Sequence, residues 1–469
     1  MPRCATIAYV TIRISAGGQV KKKGRLKTRL RVKLSSTFVR GVGVLSSGAM
    51  LGHAISLVTL PIISRLYEPV AFGELALIVS IASVLTSVAL LGLPHAVVRA
   101  DTDESAVRTM IVGAILGIGL VFVALLIAVV LMLLGVELRT TLHGALFCGL
   151  VGLMSILTSM SSYLRYYANR REANSVLFTN SIIGSLATLL ITVPLGFAGM
   201  GTIGLVAGSV GSLLVANAQM YLRLKIRFPK ITGVEFQNTL KSNRAFMLYQ
   251  YPANLLETIS TQTPRQAISA FFGTVSLGWY SMTERVLAIP MRLVGAPIST
   301  LYFREASSRT RQGRAIGAFT NQLVVVLLAG SLAPVIVLLV WGEQIFRWAL
   351  GAEWAPAGVL ASIVVVQYVF LLARTSVGTA RIVVDRQGVN LIMSATRALI
   401  EIGALVVGAI LTGGIFGAIA WFAIGSTAFL ILDMTTTMRL LGADHWRFVL
   451  VSVSYCVIVC LVWLMTIYN

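Results

Sequence analysis

Charge is what this sequence has least of. Asp, Glu, Lys and Arg together make up 12% of 469 residues, where a globular domain in water carries roughly 25%. That deficit excludes a water-facing surface over most of the chain, so lipid must solvate it. Acid is scarcer still, with 17 acidic residues against 38 basic ones. Histidine and cysteine number four each. His53, His95, His143 and His445 have no partner at metal-ligand spacing, and Cys456 and Cys460, four apart on an apolar segment, have no histidine or acid beside them. No phosphate-cradling GxxxxGK[ST], no HExxH and no CxxC pair occurs. Nothing therefore points to an enzyme, and no catalytic residue, metal or cofactor is expected.

What the chain has in quantity is apolar length. Hydrophobic residues make up 57% and the mean hydropathy is +0.87. A bilayer's hydrocarbon core of about 30 Å needs about 20 apolar residues in a helix rising 1.5 Å each. Only helices span it without a closed barrel, because every backbone polar group must be paired internally. The expected spans are 41–63, 73–98, 107–134, 143–167, 174–195, 199–222, 245–270, 277–303, 316–340, 356–380, 388–411, 414–438 and 447–467.

The basic residues give an independent check on that series. Up to Arg40 there are eleven Lys and Arg and no acid, which fits attraction to anionic lipid and control of topology better than nucleic-acid binding. This stretch lacks the apolar run of a cleaved signal peptide, and translation is expected to start near Val20. With the N-terminus inside, the alternate inner loops hold nineteen Lys and Arg, while the outer loops hold only Arg65, Arg139 and Arg347. A missed or invented span would scramble that asymmetry.

The longest inner loop, Arg223 to Arg244, divides the chain. The expected architecture is an all-α polytopic membrane protein of two six-helix bundles plus about one extra C-terminal span. Its parts are a basic cytoplasmic tail (1–40), an N-terminal bundle (41–222), a basic cytoplasmic linker (223–244), a C-terminal bundle (245–440) and the additional helix (441–469). Six spans is an even number, so any repeat between halves is parallel. One is found at an offset of 205: Ile63, Ser64, Tyr67, Val70, Phe72 and Gly73 align with Ile268, Ser269, Phe272, Val275, Leu277 and Gly278.

Five arginines remain inside expected spans, all in the second half: Arg265, Arg285, Arg292, Arg374 and Arg397. Each costs about 2.5–3.5 kcal/mol near mid-membrane, so such residues face a bundle interior, a wet cavity or an acid. The acids at hand are Glu257, Glu284 and Glu401. Five positives against three negatives imply a net positive cavity that accepts an anion. Three of the five have simpler readings: Arg397 can pair with Glu401 at i,i+4, and Arg285 and Arg265 can snorkel toward an interface. Pro264, Pro290 and Pro297 interrupt the seventh and eighth spans, and each bends a helix by removing a hydrogen bond.

These residues carry a resemblance. The stretch LPIISRLYEPVAFGELALI, with Pro61, Ser64, Arg65, Leu66, Tyr67, Pro69, Phe72 and Gly73, resembles the opening of the bacterial polysaccharide flippases, the O-antigen and capsule exporters of the multidrug/oligosaccharidyl-lipid/polysaccharide (MOP) superfamily. Val70 and Ala71 replace that family's usual acid-rich pair. The block Tyr251 to Ser307 is similar to the family's midpoint at Tyr251, Pro252, Asn254, Phe272, Gly273, Gly278, Tyr280, Arg285, Pro290 and Ala306. Leu350, Gly351, Trp354, Ala357 and Gly358 form a third block. Arg265 stands where the family pattern is usually uncharged.

The resemblance implies a flippase that moves a lipid-linked oligosaccharide on a polyprenyl pyrophosphate across a bacterial inner membrane by alternating access, for lipopolysaccharide or other surface polysaccharide. Arg292, Arg374 and Arg397 would offset its charge. Partners would be that substrate, membrane lipid and other polysaccharide-assembly proteins, with no nucleic acid. The rivals are a cation-coupled drug antiporter of the same superfamily, which needs buried carboxylates in the first half, and a polysaccharide polymerase or ligase, which needs a long outer loop.

Overall fold

The computed structural model describes residue 52 and residues 54–134, 142–312, 314–383 and 388–468, the side chains of 382–383, 388–391 and 464–468 apart. The basic tail, the expected start near Val20, the beginning of the first span, and the loop residues Arg139 and Arg386 lie outside the described residues.

Helices build the chain throughout. In order they are α1 (Ala54–Leu66), α2 (Pro69–Leu90), α3 (Leu93–Arg99), α4 (Asp103–Leu133), α5 (Gly144–Arg170), α6 (Asn174–Phe197), α7 (Gly201–Leu224), α8 (Gly233–Ser242), α9 (Tyr251–Pro290), α10 (Ala296–Arg311), α11 (Gly317–Leu350), α12 (Ala355–Val377), α13 (Ala380–Val383), α14 (Gly388–Thr412), α15 (Ile415–Leu440) and α16 (His445–Tyr468). Among the described residues, eleven segments are long and apolar enough to cross a membrane. The chain is a multi-pass membrane protein. Ten of these segments each match one expected span. The eleventh, Gly233–Arg311, holds both the seventh and the eighth.

Those two spans are joined at Gly273. Its φ of 81° and ψ of 176° break α9, in a region open essentially only to glycine. A continuous helix would hold Arg265 and Glu284 roughly 28 Å apart, yet Arg265 Nε lies 2.7 Å from Glu284 Oε2. The chain therefore doubles back at Gly273, and α9 is a hairpin with arms on either side of it.

Local chemistry sets the other ends. Pro69 opens α2, where its missing N–H costs nothing. Thr102 caps α4 by accepting from Ser105 N, and Thr232 and Glu235 close a reciprocal capping box on α8. Between Pro290 and Pro297 the chain winds as a π-helix, Met291–Gly295. Pro297 offers no N–H to the carbonyl four residues back, which favours this wider turn.

Lipid supplies no hydrophobic drive between helices, so close backbone approach and interhelical hydrogen bonds hold them. Helix α6 packs along α7, α11 along α12 and α14 along α15. Asn217 Nδ2 donates to Leu157 O at 2.9 Å, and Asn180 Nδ2 to Ala216 O at 2.7 Å. The largest apolar cluster takes in residues from Ile63 in α1 to Val459 in α16.

The most extensive contact of all is α2 against α9. A Cβ at Gly73 would collide with the carbonyl of Thr274, and a Cβ at Gly278 with the carbonyl of Pro69. The offset of 205 that relates Gly73 to Gly278 also relates Pro69 to Thr274. The two contacts are thus reciprocal, each half presenting the same position to the other.

Candidate functional site

Two features frame the site: a sealed end and a charged interior. The seal is built from the three motif blocks, which the fold brings together. Ser64 Oγ donates to Leu350 O at 3.0 Å, and Trp354 Nε1 donates back to Ser64 O at 2.8 Å. Phe72 meets Trp354 edge to face at 5.0 Å, both fully buried. Thr283 Oγ1 donates to Ala357 O at 2.7 Å, and Trp279 Nε1 to Glu353 O at 3.1 Å. Arg65, an outer-loop arginine by sequence, donates to Trp348 O at 3.1 Å. The α1–α2 turn, the second arm of α9 and the α11–α12 turn thereby interlock beside the Gly73–Gly278 contact.

The arginine-rich set lies in the second half. Arg265, from the first arm of α9, pairs with Glu284 on the second and also donates to Gln262 Oε1 at 2.7 Å. Arg397 Nε lies 3.0 Å from Glu401 Oε1 on α14, and Ser426 Oγ of α15 donates to that same carboxylate oxygen. Glu257 accepts from Ser394 Oγ at 2.5 Å and, among the described residues, pairs with no arginine.

A second cluster was not anticipated from the sequence. Arg374 Nε lies 2.7 Å from Asp433 Oδ2 on α15, and Arg381 Nη2 lies 2.6 Å from Asp433 Oδ1. Asp433 and Arg381 are both buried. The charge tally from sequence set Arg381 among loop residues and left Asp433 out. With Arg381 and Asp433 added, this set in the second half holds six arginines and four carboxylates, an excess of two positive charges. Asp433 sits near the end of an expected span, where an acid ordinarily reaches water. Its partner Arg374 is 59 residues away on another helix, so no local spacing linked the two.

Arg285 and Arg292 hold that excess. Among the described residues no carboxylate stands within 4.0 Å of either. Arg285 rests 5.3 Å over the Phe72 ring, on the sealed end. Arg292 follows two turns later inside the π-helical stretch. Both are exposed. Of the five arginines named from sequence, the fold pairs Arg265, Arg374 and Arg397 with carboxylates and leaves these two. Chemically, two unneutralised guanidiniums beside paired charges offer forked donors to a diphosphate or carboxylate.

In the first half, Glu74 of α2 is fully buried next to the Gly73 contact. By sequence it stood at a membrane interface.

Residues 62–359 match the family described as polysaccharide biosynthesis protein. The succinoglycan biosynthesis transport protein ExoT of Rhizobium meliloti (strain 1021) is 27% identical over 347 residues, covering 70% of this chain. The chain spans 66% of that relative's length. Among solved structures, the lipid II flippase MurJ in an inward closed conformation superposes with a TM-score of 0.65 at 12% identity, over 90% of this chain and 98% of that one. An inward-facing multidrug resistance MATE family transporter of the MOP superfamily gives 0.59 at 13% identity, over 84% and 94%. These two likenesses establish the fold. With well over half of its length matched, this multi-pass chain belongs to the polysaccharide biosynthesis protein family and has the fold shared by MurJ and the MATE transporters.

Proposed function

We propose that the protein is a flippase that carries a lipid-linked oligosaccharide, on a polyprenyl pyrophosphate, across a bacterial inner membrane for surface polysaccharide. The observation that carries this reading is the pair Arg285 and Arg292. Two guanidiniums without counter-charge persist in lipid only where something anionic or aqueous meets them. A pyrophosphate supplies that charge, and binding it relieves the cost of leaving them unneutralised. Family membership and the name of the ExoT relative support transport in polysaccharide assembly.

The cycle is alternating access. Two six-helix bundles, 41–222 and 245–440, joined by the linker 223–244, rock about the sealed end, with helix 441–469 outside the repeat. The N-terminus and the arginine-rich loops face the cytoplasm, so the seal is the outer gate. An anion drawn to Arg285 competes with Phe72 for its guanidinium. Because Phe72 also holds Trp354, loading the site loosens the gate from within. The glycan head crosses in the charged interior while the polyprenyl tail stays in lipid. The other arginines act as fixed ion pairs that hold α9, α12, α14 and α15 in register.

Deleting the gene and analysing its lipid-linked glycan tests this. Accumulation at the cytoplasmic face is expected, whereas unchanged surface glycan overturns the reading. A cation-coupled antiporter is the second reading, and buried Glu74 is the observation favouring it. Drug resistance on expression that is lost in Glu74→Gln, with glycan unaffected, would select it.

A further inference from the structure

The charged interior leaves a second site unused. Where α4 and α7 both lie against α5, an apolar slot of about 230 Å³ opens between them. Met110, Gly117 and Val121 of α4, Tyr163 of α5, and Tyr221 and Phe228 line it. From Met110 to Val121 the wall runs roughly 16 Å along the helix, about half the thickness of a hydrocarbon core and so the depth of one leaflet.

Its rim is basic. Beyond α7 the chain runs Lys225, Ile226, Arg227, Phe228, with Ile226 and Phe228 turned into the slot and Lys225 and Arg227 exposed. Tyr221 stacks on Phe228 at 6.0 Å, closing the wall below them. Arg223 and Lys230 are exposed on the same segment. Three of the acids at this end are engaged, Asp103 by Arg170 and Arg171, and Glu104 and Glu235 by Arg108, while Asp101 and Glu172 are exposed. No ion pair among the described residues involves Lys225 or Arg227.

We infer that this slot binds one anionic glycerophospholipid, with an acyl chain against α4 and α5 and the phosphate on Lys225 and Arg227. One leaflet's depth suits one acyl chain. A polyprenyl carrier is longer than the slot, and its pyrophosphate is claimed by the other half. The site lies in the first half, apart from Arg285 and Arg292, so it stands whether or not the transport reading does. A basic rim over an apolar slot selects an anionic headgroup in the same way that juxtamembrane basic segments do.

Native mass spectrometry of the delipidated full chain, offered equimolar phosphatidylglycerol and phosphatidylcholine, tests it. One phosphatidylglycerol per chain is expected, retained about tenfold over phosphatidylcholine. Ala114→Phe, which fills the slot from α4, should lower retention of both. The exposed double variant Lys225→Gln/Arg227→Gln should abolish the headgroup preference while the protein melts as wild type. Equal retention of the two lipids by wild type, full retention by the filled slot, or preference for a polyprenyl phosphate over phosphatidylglycerol would overturn the proposal.

Discussion

Arg285 and Arg292 differ from their neighbours in what faces them, and that difference makes predictions. Hydrogen bonds to charged groups are worth about 1.5–3 kcal/mol, so Arg285→Ala or Arg292→Ala should slow export about ten- to hundredfold while leaving membrane insertion intact. Quantifying surface glycan against the amount of inserted protein checks this. The paired arginines should behave in the opposite way. Asp433→Asn leaves Arg374 and Arg381 without their shared counter-charge, and breaking a buried pair costs about 3–5 kcal/mol. The expected result is a lower melting temperature and poor yield in detergent, and an unchanged melt would refute that role. Legibility in the sequence follows the same division. The Arg397–Glu401 pair is visible because four residues make one helical turn. Arg265 and Glu284 were both singled out, but their pairing depends on a reversal at Gly273. Asp433 was missed because its partners come from other helices.

At the level of elements, the α9 hairpin and the α2–α9 contact make the sharpest demands on single residues. Gly273 holds a backbone conformation that a side chain strains by about 1–3 kcal/mol. Gly273→Ala should therefore lower stability by that order in a thermal melt, although the position has open space for a methyl group. Gly73→Leu and Gly278→Leu should each part the sealed end, since the obstacle in both cases is backbone. Distances measured by spin labels across that end should lengthen alike in the two variants, because the contacts are reciprocal. The hydropathy pattern placed these helices well, since spanning length follows directly from bilayer thickness. It also left room for the reversal, since Gly273 falls in the gap between the expected spans 245–270 and 277–303. The π-helical stretch around Arg292 follows from two prolines acting together, which hydropathy does not register.

Across the whole molecule, charge is distributed by function. The first half offers its apolar walls to lipid and keeps most of its basic residues at one end, with Arg65 at the sealed end. The second half carries ion pairs and two unmatched guanidiniums within its spans. That asymmetry was legible as five intramembrane arginines in one half, and the fold reduces the five to two by supplying partners. The motif blocks identified a family before their purpose was visible. Their meeting at Trp354, Phe72 and Ser64 explains why residues so far apart in sequence share one pattern, since together they close one end of the protein. The most direct test of the account is transbilayer movement itself. The full chain, reconstituted in vesicles with a fluorescent polyprenyl-pyrophosphate oligosaccharide, should expose that lipid to an external quencher faster than empty vesicles do. The Arg285→Ala/Arg292→Ala double variant, equally well folded, should lose that rate about a hundredfold. Equal rates from the double variant and wild type would contradict the claim that these two arginines carry the anionic head group through the membrane.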